Sequence, residues 1–366
     1  MIIAMNNNLF RTAFLLVSMC FTTARASDSS QLADKVEAVL PPHVGACVLA
    51  IDHGKVVLEH CSGVTDLDTK TPCTPETNFR MASVSKQFTA TAVMLLVDRG
   101  KLSLDDKLTK FFPGFPKYGD KITVKQLLDH TSGLPGYESM IPEGTKLQLD
   151  DYDVLHLLMD TKEPLFTPGE KFEYSNSGYA LLGLIVEQVA QEPLHDFMAK
   201  EMFRPLGMNE SVMYQRGLNS VSNRAYGHQL NDGKWIQADQ SLTSAVRGDG
   251  GVYSSLRDYR KWLQGIDDQK LLSAASYKAM FTPQVETDRD GSKYGYGWFI
   301  DTYRGEPRIH HGGETVGFRH CAQRFPKRDA AVFIQLNSAD PAAQLKLVKL
   351  GEQVADLTIF REGSKK

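Results

Sequence analysis

Several features that would assign this 366-residue sequence to a functional class at once are missing from it. There is no excess of positive charge: 41 Lys and Arg stand against 44 Asp and Glu, a formal net charge of −3. Nucleic-acid binding normally leaves a basic footprint, so that class is disfavoured. There are only five cysteines and no Cys-x-x-Cys pair, which argues against structural zinc. No His-Glu-x-x-His or His-x-His-x-Asp cluster offers ligands to a catalytic metal. The Gly-x-Ser-x-Gly elbow of an α/β-hydrolase triad is absent, as is the Gly-x-x-x-x-Gly-Lys-Ser/Thr phosphate loop. No internal repeat or low-complexity segment occurs. After residue 26 no apolar run is long enough to span a membrane.

What is present is ordinary globular composition, 42% hydrophobic and 23% charged, in a chain long enough for a large core. Residues 1–26 stand apart. Arg11 precedes the apolar run Ala13–Phe21, and Ala24-Arg25-Ala26 fits a small-x-small cleavage site. This pattern predicts a secretory signal peptide cleaved before Ser27, hence a secreted or periplasmic protein. Met19 is bulky for a residue preceding a lipidated Cys20, which disfavours a lipoprotein signal. Cleavage removes Arg11 and Arg25 and leaves a charge of −5. It also leaves Cys47, Cys61, Cys73 and Cys321, in a compartment where disulfides form. Cys47 and Cys61 flank the turn Asp52–Lys55, so a cross-strand bridge is feasible. A Cys47–Cys321 bridge is a rival if their strands are neighbours, and buried free thiols are a third reading.

The hydrophobic period changes twice along the chain. A leading helix, Leu32–Leu40, ends at Pro41-Pro42. Val44–Ile51 and Lys55–His60 read as a β-hairpin. Met81–Arg99 reads as a helix stopped by Gly100. From 101 to 289 the pattern is mainly helical, with segments at Ile122–His130 (Thr123 as N-cap), Tyr152–Met159, Tyr179–Val189, Leu194–Phe203 and Leu256–Leu263. From 290 to 366 it returns to strands, at Tyr294–Ile300, Arg308–Gly313, Phe318–Phe325 and Ala330–Leu336, before a closing helix Leu345–Phe360. A lone hairpin is barely stable, so the two strand regions must meet in one antiparallel sheet. The fold class is therefore α+β. Segments 27–100 and 290–366 form the sheet-bearing part, 101–289 is a mainly helical insertion, and the cleft lies where the layers join.

Three short motifs carry chemistry. Ser83-Val84-Ser85-Lys86 places Ser83 and Lys86 on one helix face. A serine hydroxyl is a weak nucleophile until a base takes its proton, and lysine serves only where burial or a helix dipole favours its neutral form. Tyr174-Ser175-Asn176 opens a second helix, and His311-Gly312-Gly313 lies on a predicted strand.

In this order and spacing the motifs resemble those of the penicillin-recognising serine hydrolases, the serine β-lactamases, DD-peptidases and related esterases and D-aminopeptidases. The resemblance is to the class C-like branch and covers roughly residues 30 to 350. The flanking runs Leu127–Leu134 and Tyr294–Trp298 match as well. It implies an acyl-enzyme on Ser83, with Lys86 and Tyr174 sharing the proton as a coupled pair; which of them is the base stays open. Asn176 is expected to bind the substrate amide and Lys86, to cap its helix, or both. Gly312 and Gly313 would let substrate lie against the strand edge. The amides of Ser83 and Glu314 would form the oxyanion hole. No metal or other cofactor is implied.

His311 departs from the lysine usual in the family's β-lactamases. A histidine is mostly neutral at pH 7, so weak selection for a free carboxylate is expected, and ester, amide or D-peptide substrates are favoured over lactams. A non-catalytic sensor with the same fold, or a weak β-lactamase, are the alternatives. His130 reads as a packing or hydrogen-bonding residue, and His310 as facing away from His311. Tyr137, Trp298 and Phe318 fit either the cleft wall or the core. Oligomeric state is not readable.

Overall fold

A computed structural model describes residues 30–289, 291–342 and 346–361. The predicted signal peptide, residues 1–26, lies outside them. The main sheet is antiparallel throughout and has eight strands. In chain order these are β1 (Gly45–Asp52), β2 (Lys55–Gly63), β3 (Val285–Glu286), β4 (Lys293–Tyr294), β5 (Phe299–Tyr303), β6 (Glu306–Thr315), β7 (Phe318–Phe325) and β8 (Ala330–Leu336). They run β2-β1-β8-β7-β6-β5-β4-β3 across the sheet. The first strand therefore pairs with the last, with Ala46 opposite Leu336 and Ile51 opposite Ala331. This is the closure of the two chain ends that the strand pattern demanded.

Side chains alternate across β1, and the two faces bury different cores. Ala46, Val48 and Ala50 face the apolar stripes of α1 (residues 30–37) and α4 (Leu347–Thr358), packing with Val36, Leu350 and Val354. Cys47 and Leu49 face the larger core, which contains α2 (Lys86–Asp98) and α3 (Asn176–Ala190). The alternation also decides the disulfide. Cys47 and Cys61 are cross-strand partners and are bonded to each other. Cys321 lies among the residues of the opposite face, out of reach of Cys47, and stays free and buried like Cys73.

Four elements differ from the sequence reading. The predicted helix from Met81 begins as a 3₁₀ turn, Ala82–Ser85, and becomes α-helical only at Lys86. Gly100 ends it with φ +65°. The predicted strand Tyr294–Ile300 is two strands, β4 and β5, reversing at Gly297. The φ there is +80°, and a Cβ would stand 2.9 Å from the Lys86 carbonyl oxygen, so the reversal fits against the start of α2. The stretch Leu194–Phe203 is α-helical only to Met198 and then widens into a π turn. The insertion is also less purely helical than its pattern. It contains the hairpin His228–Asn231 and Lys234–Gln237, short strands Val212–Met213 and Val252–Ser254, and β3, which joins the main sheet.

Candidate active site

Ser83 sits where α2, α3 and the edge of β6 converge. The residue before it, Ala82, has φ +48°, a conformation unusual for a residue with a Cβ and typically costing about 1–3 kcal/mol. Neighbouring contacts hold it there. Met81 N–H donates to the Val252 carbonyl, and the Val252 amide donates to Ser85 Oγ at 3.1 Å. On the other side Gly313 closes in: a Cβ there would meet the Met81 carbonyl oxygen at 2.4 Å and the Val84 amide nitrogen at 3.3 Å. Glycine at 313 is thus required by the Ser83-bearing turn itself. Gly312 meets only ordinary contacts, with Leu347.

Lys86 is fully buried. Its Nζ donates to Ser83 Oγ at 3.1 Å, Asn176 Oδ1 at 2.7 Å and the Asp249 carbonyl at 2.9 Å. Three acceptors are the number an ammonium group can satisfy. The nitrogen also lies 5.0 Å from the centre of the Tyr174 ring and 5.4 Å from that of Tyr179. Asn176 is the first residue of α3, and the helix cap is Ser175, whose Oγ accepts from Gly178 N–H. The capping role expected of Asn176 thus belongs to its neighbour, which frees the Asn176 amide to face the cleft.

His130 holds the Tyr174 segment. It has φ +60° and accepts the Ser175 amide on Nδ1 at 3.1 Å, so Nε2 carries its ring hydrogen. Its ring packs 4.4 Å from Tyr174 and 4.7 Å from Tyr294. Burial, with the charge of Lys86 adding to it, pushes its pKa well below the ordinary histidine value. His311 is buried as well, and burial followed by Lys86 depresses its pKa in the same way. Its Nδ1 lies 2.6 Å from the Gly312 carbonyl, which can only accept, so Nε2 is left to accept from Tyr294 Oη at 3.2 Å. His310 turns instead to Asp301, at 3.3 Å.

Ser83, Tyr174, Asn176, His311, Gly312 and Glu314 line one cavity of about 510 Å³. Lys86 lies in its floor, bonded to Ser83. Gly313 is the one predicted site residue taken up by packing. Of the three uncertain aromatics, Tyr137 borders the cleft, whereas Trp298 and Phe318 are buried in the core.

Residues 33–354 match the family model described as Beta-lactamase. The chain belongs to the β-lactamase family. It is a serine hydrolase of that family's penicillin-binding-protein-like kind. It is 29% identical over 324 residues to a penicillin-binding protein of Bacillus subtilis (strain 168), covering 84% of this chain and 71% of that one. It is 29% identical over 305 residues to the protein flp of Staphylococcus aureus (strain NCTC 8325), covering 80% of this chain and 59% of the relative. Among solved structures it resembles an octameric penicillin-binding protein homologue from Pyrococcus abyssi, with TM-score 0.77 and 26% identity over 92% of this chain and 77% of the other. It also resembles the D-amino acid amidase of Ochrobactrum anthropi SV3, with TM-score 0.72 and 26% identity over 89% and 97%.

This β-lactamase-family site contains polar groups with no motif to announce them. Glu138 Oε1 accepts from Asn176 Nδ2 at 2.6 Å. Asp249 accepts from Tyr137 Oη at 3.0 Å, and burial raises its pKa to about 7 against the opposing pull of Lys86. Its loop is fixed from below by a buried ion pair. Arg247 Nε donates to Asp151 Oδ2 at 2.8 Å, and Asp151 Oδ1 accepts from Gly248 N–H at 3.0 Å. Arg247 also reaches Glu187 at 2.7 Å. Arg289 lines the same cavity as Ser83, with its guanidinium 4.0 Å from the centre of the Phe299 ring. No spacing rule links residues this far apart, so sequence alone gives them no signal.

Proposed function

We propose that this protein is an exported hydrolase that forms an acyl-enzyme on Ser83 and cleaves amide or ester bonds, D-amino-acid peptides or amides first among them. The observation that carries the reading is the hub at Lys86 Nζ, bonded at once to Ser83 Oγ and Asn176 Oδ1 on the floor of the cleft. Ser83 Oγ attacks the substrate carbonyl while its proton passes to the Lys86–Tyr174 pair. The amides of Ser83 and Glu314 stabilise the oxyanion; one such donor is typically worth on the order of 10²–10³ in rate. The carbonyl re-forms as the bond to the leaving group breaks, and the pair returns the proton to that group. Water then attacks the acyl-enzyme, giving up a proton to the pair, and the acid leaves with Ser83 restored. Asn176 orients the substrate amide. Gly312 and the edge of β6 line its path.

The substrate class is supported by two things. His311 is held neutral, which disfavours it as the fixed cation that a lactam carboxylate would meet. A structural relative at 26% identity is named a D-amino acid amidase. Export is supported by the predicted signal peptide and by the Cys47–Cys61 bridge, a bond that persists in oxidising compartments. The test is turnover of a panel of D-aminoacyl amides, p-nitrophenyl esters and a cephalosporin. Amide and ester release well above the Ser83→Ala background, with the cephalosporin slowest, is expected. Release equal to that background would leave a protein that captures such compounds without turning them over.

A further inference from the structure

We propose that His320 is a positioning residue for acylation at Ser83. Its ring N–H holds the Arg80 carbonyl and so keeps the strained backbone at Ala82 in the form that presents the Ser83 amide and hydroxyl to substrate. The proposal rests on the acyl-enzyme reading of Ser83.

His320 is fully buried on β7. The strand register places it directly opposite Gly313 on β6 and opposite Gln335 on β8. Directly opposed residues share a face of the sheet, so the three form one row across it. That row meets the segment leading into Ser83 at successive points. Gly313 passes against the Met81 carbonyl. Gln335 Nε2 donates to the Ser254 carbonyl at 2.9 Å and lies 3.5 Å from Met81 Sδ. His320 Nε2 lies 2.6 Å from the Arg80 carbonyl oxygen. A carbonyl only accepts, so Nε2 carries the hydrogen and donates it. Burial pushes the His320 pKa down to about 4, and the ring is neutral at pH 7. Nδ1 then offers only a lone pair, and it is buried with no hydrogen-bond partner among the described residues. An unpaired polar atom in a core is costly, and an apolar side chain would fill this space without that cost. Packing alone therefore does not account for a histidine here; the bond to Arg80 does.

The effect of that bond follows from the chain beyond it. The Arg80 guanidinium is bonded to Ser244, at 2.5 Å to Oγ and 3.0 Å to the carbonyl, so the residue is held at its side chain and at its own carbonyl. Next come Met81, Ala82 at φ +48° and Ser83. Without the His320 bond the Arg80–Met81 peptide is freer to rotate, and Ala82 to relax toward the negative φ that residues with a Cβ prefer. Such a rotation turns the Ser83 amide and Oγ away from the geometry that Lys86 and the oxyanion require. A misplacement of about 1 Å can cost about 10²-fold in rate.

The experiment compares His320→Leu, His320→Asn and His320→Gln with Ile334→Val, a substitution in the core on the opposite face of the sheet. It reads the rate at which a fluorophosphonate labels Ser83, kcat and KM for a p-nitrophenyl ester, and denaturant unfolding. In His320→Leu, labelling and kcat should fall about 10–100-fold with KM little changed. His320→Gln, whose amide nitrogen reaches the place of Nε2, should keep most of the rate. His320→Asn, whose shorter side chain does not reach it, should lose it. Ile334→Val should lose stability and keep its rates. Where Ala82→Gly removes the strain of positive φ, His320→Leu should cost severalfold less. A folded His320→Leu protein with unchanged rates overturns the proposal, as does an undiminished loss in the Ala82→Gly background. Equal rates in the Gln and Asn variants overturn it too, and that comparison stands even where the Leu variant does not fold. Labelling of the unaltered protein at Ser83 reports the acyl-enzyme reading separately, so the two failures are distinguishable.

Discussion

Gly313 passes so close to Met81 that a Cβ added to it would stand 2.4 Å from the Met81 carbonyl oxygen. The strand edge and the serine-bearing turn are therefore registered against each other by backbone contact. Gly313→Ala must push β6 away from Ser83. Overpacking of this kind costs about 1–3 kcal/mol, and activity should fall by more than the loss of stability explains. Thermal unfolding and kcat/KM, measured on the same preparation, check this.

Tyr174→Phe removes a hydroxyl and leaves the ring that packs on His130 at 4.4 Å. Folding should be nearly unchanged. If Tyr174 shuttles the proton, kcat should fall about 10²–10⁴-fold, and steady-state turnover of an amide substrate reads it directly. Substrates whose leaving group needs no proton, such as p-nitrophenyl esters, should suffer less.

Asp249 carries a sign that can be tested. Its folded pKa, about 7, lies above its ordinary value of 3.8 because the carboxyl is buried. The folded state thus binds the proton more tightly than the unfolded state. Its stabilising contribution is fully present below the unfolded pKa and is lost as pH rises from about 4 to 7. Asp249→Asn should remove that fall. Denaturant unfolding of both proteins across this range should show the difference between them widening toward neutral pH, in favour of the variant.

Arg247 and Asp151 illustrate a site held from beneath. Removing one member of a buried ion pair commonly costs about 3–5 kcal/mol. Arg247→Met leaves Asp151 buried without its cation and loosens the loop that brings the Asp249 carbonyl to Lys86. A loss of that size in denaturant unfolding is expected, with kcat falling even where the protein is still folded.

Much of the fold was legible because strand and helix periods change at the sheet's true ends. The pairing of β1 with β8 follows from a hairpin that needs partners, and His311-Gly312-Gly313 lies on the strand expected of it. Where the sequence misled, long-range packing decided. Gly297 breaks a continuous apolar strand because it meets the carbonyl of Lys86, and the serine turn is 3₁₀ because Ala82 is held at positive φ. Ser175 caps the helix, and Asn176, its first residue, accepts from Lys86 instead. Glu138, Asp249 and Arg289 were not legible at all. Each is an ordinary surface-type residue until the chain folds it against the cleft.

The central claim is that Ser83 becomes covalently acylated. Intact-mass spectrometry after exposure to a fluorophosphonate, followed by peptide mapping, tests it most directly. The account predicts a single adduct on the peptide containing Ser83, absent in Ser83→Ala and slowed in Lys86→Met. An active preparation that takes up no label, or one labelled at a different residue, would contradict it.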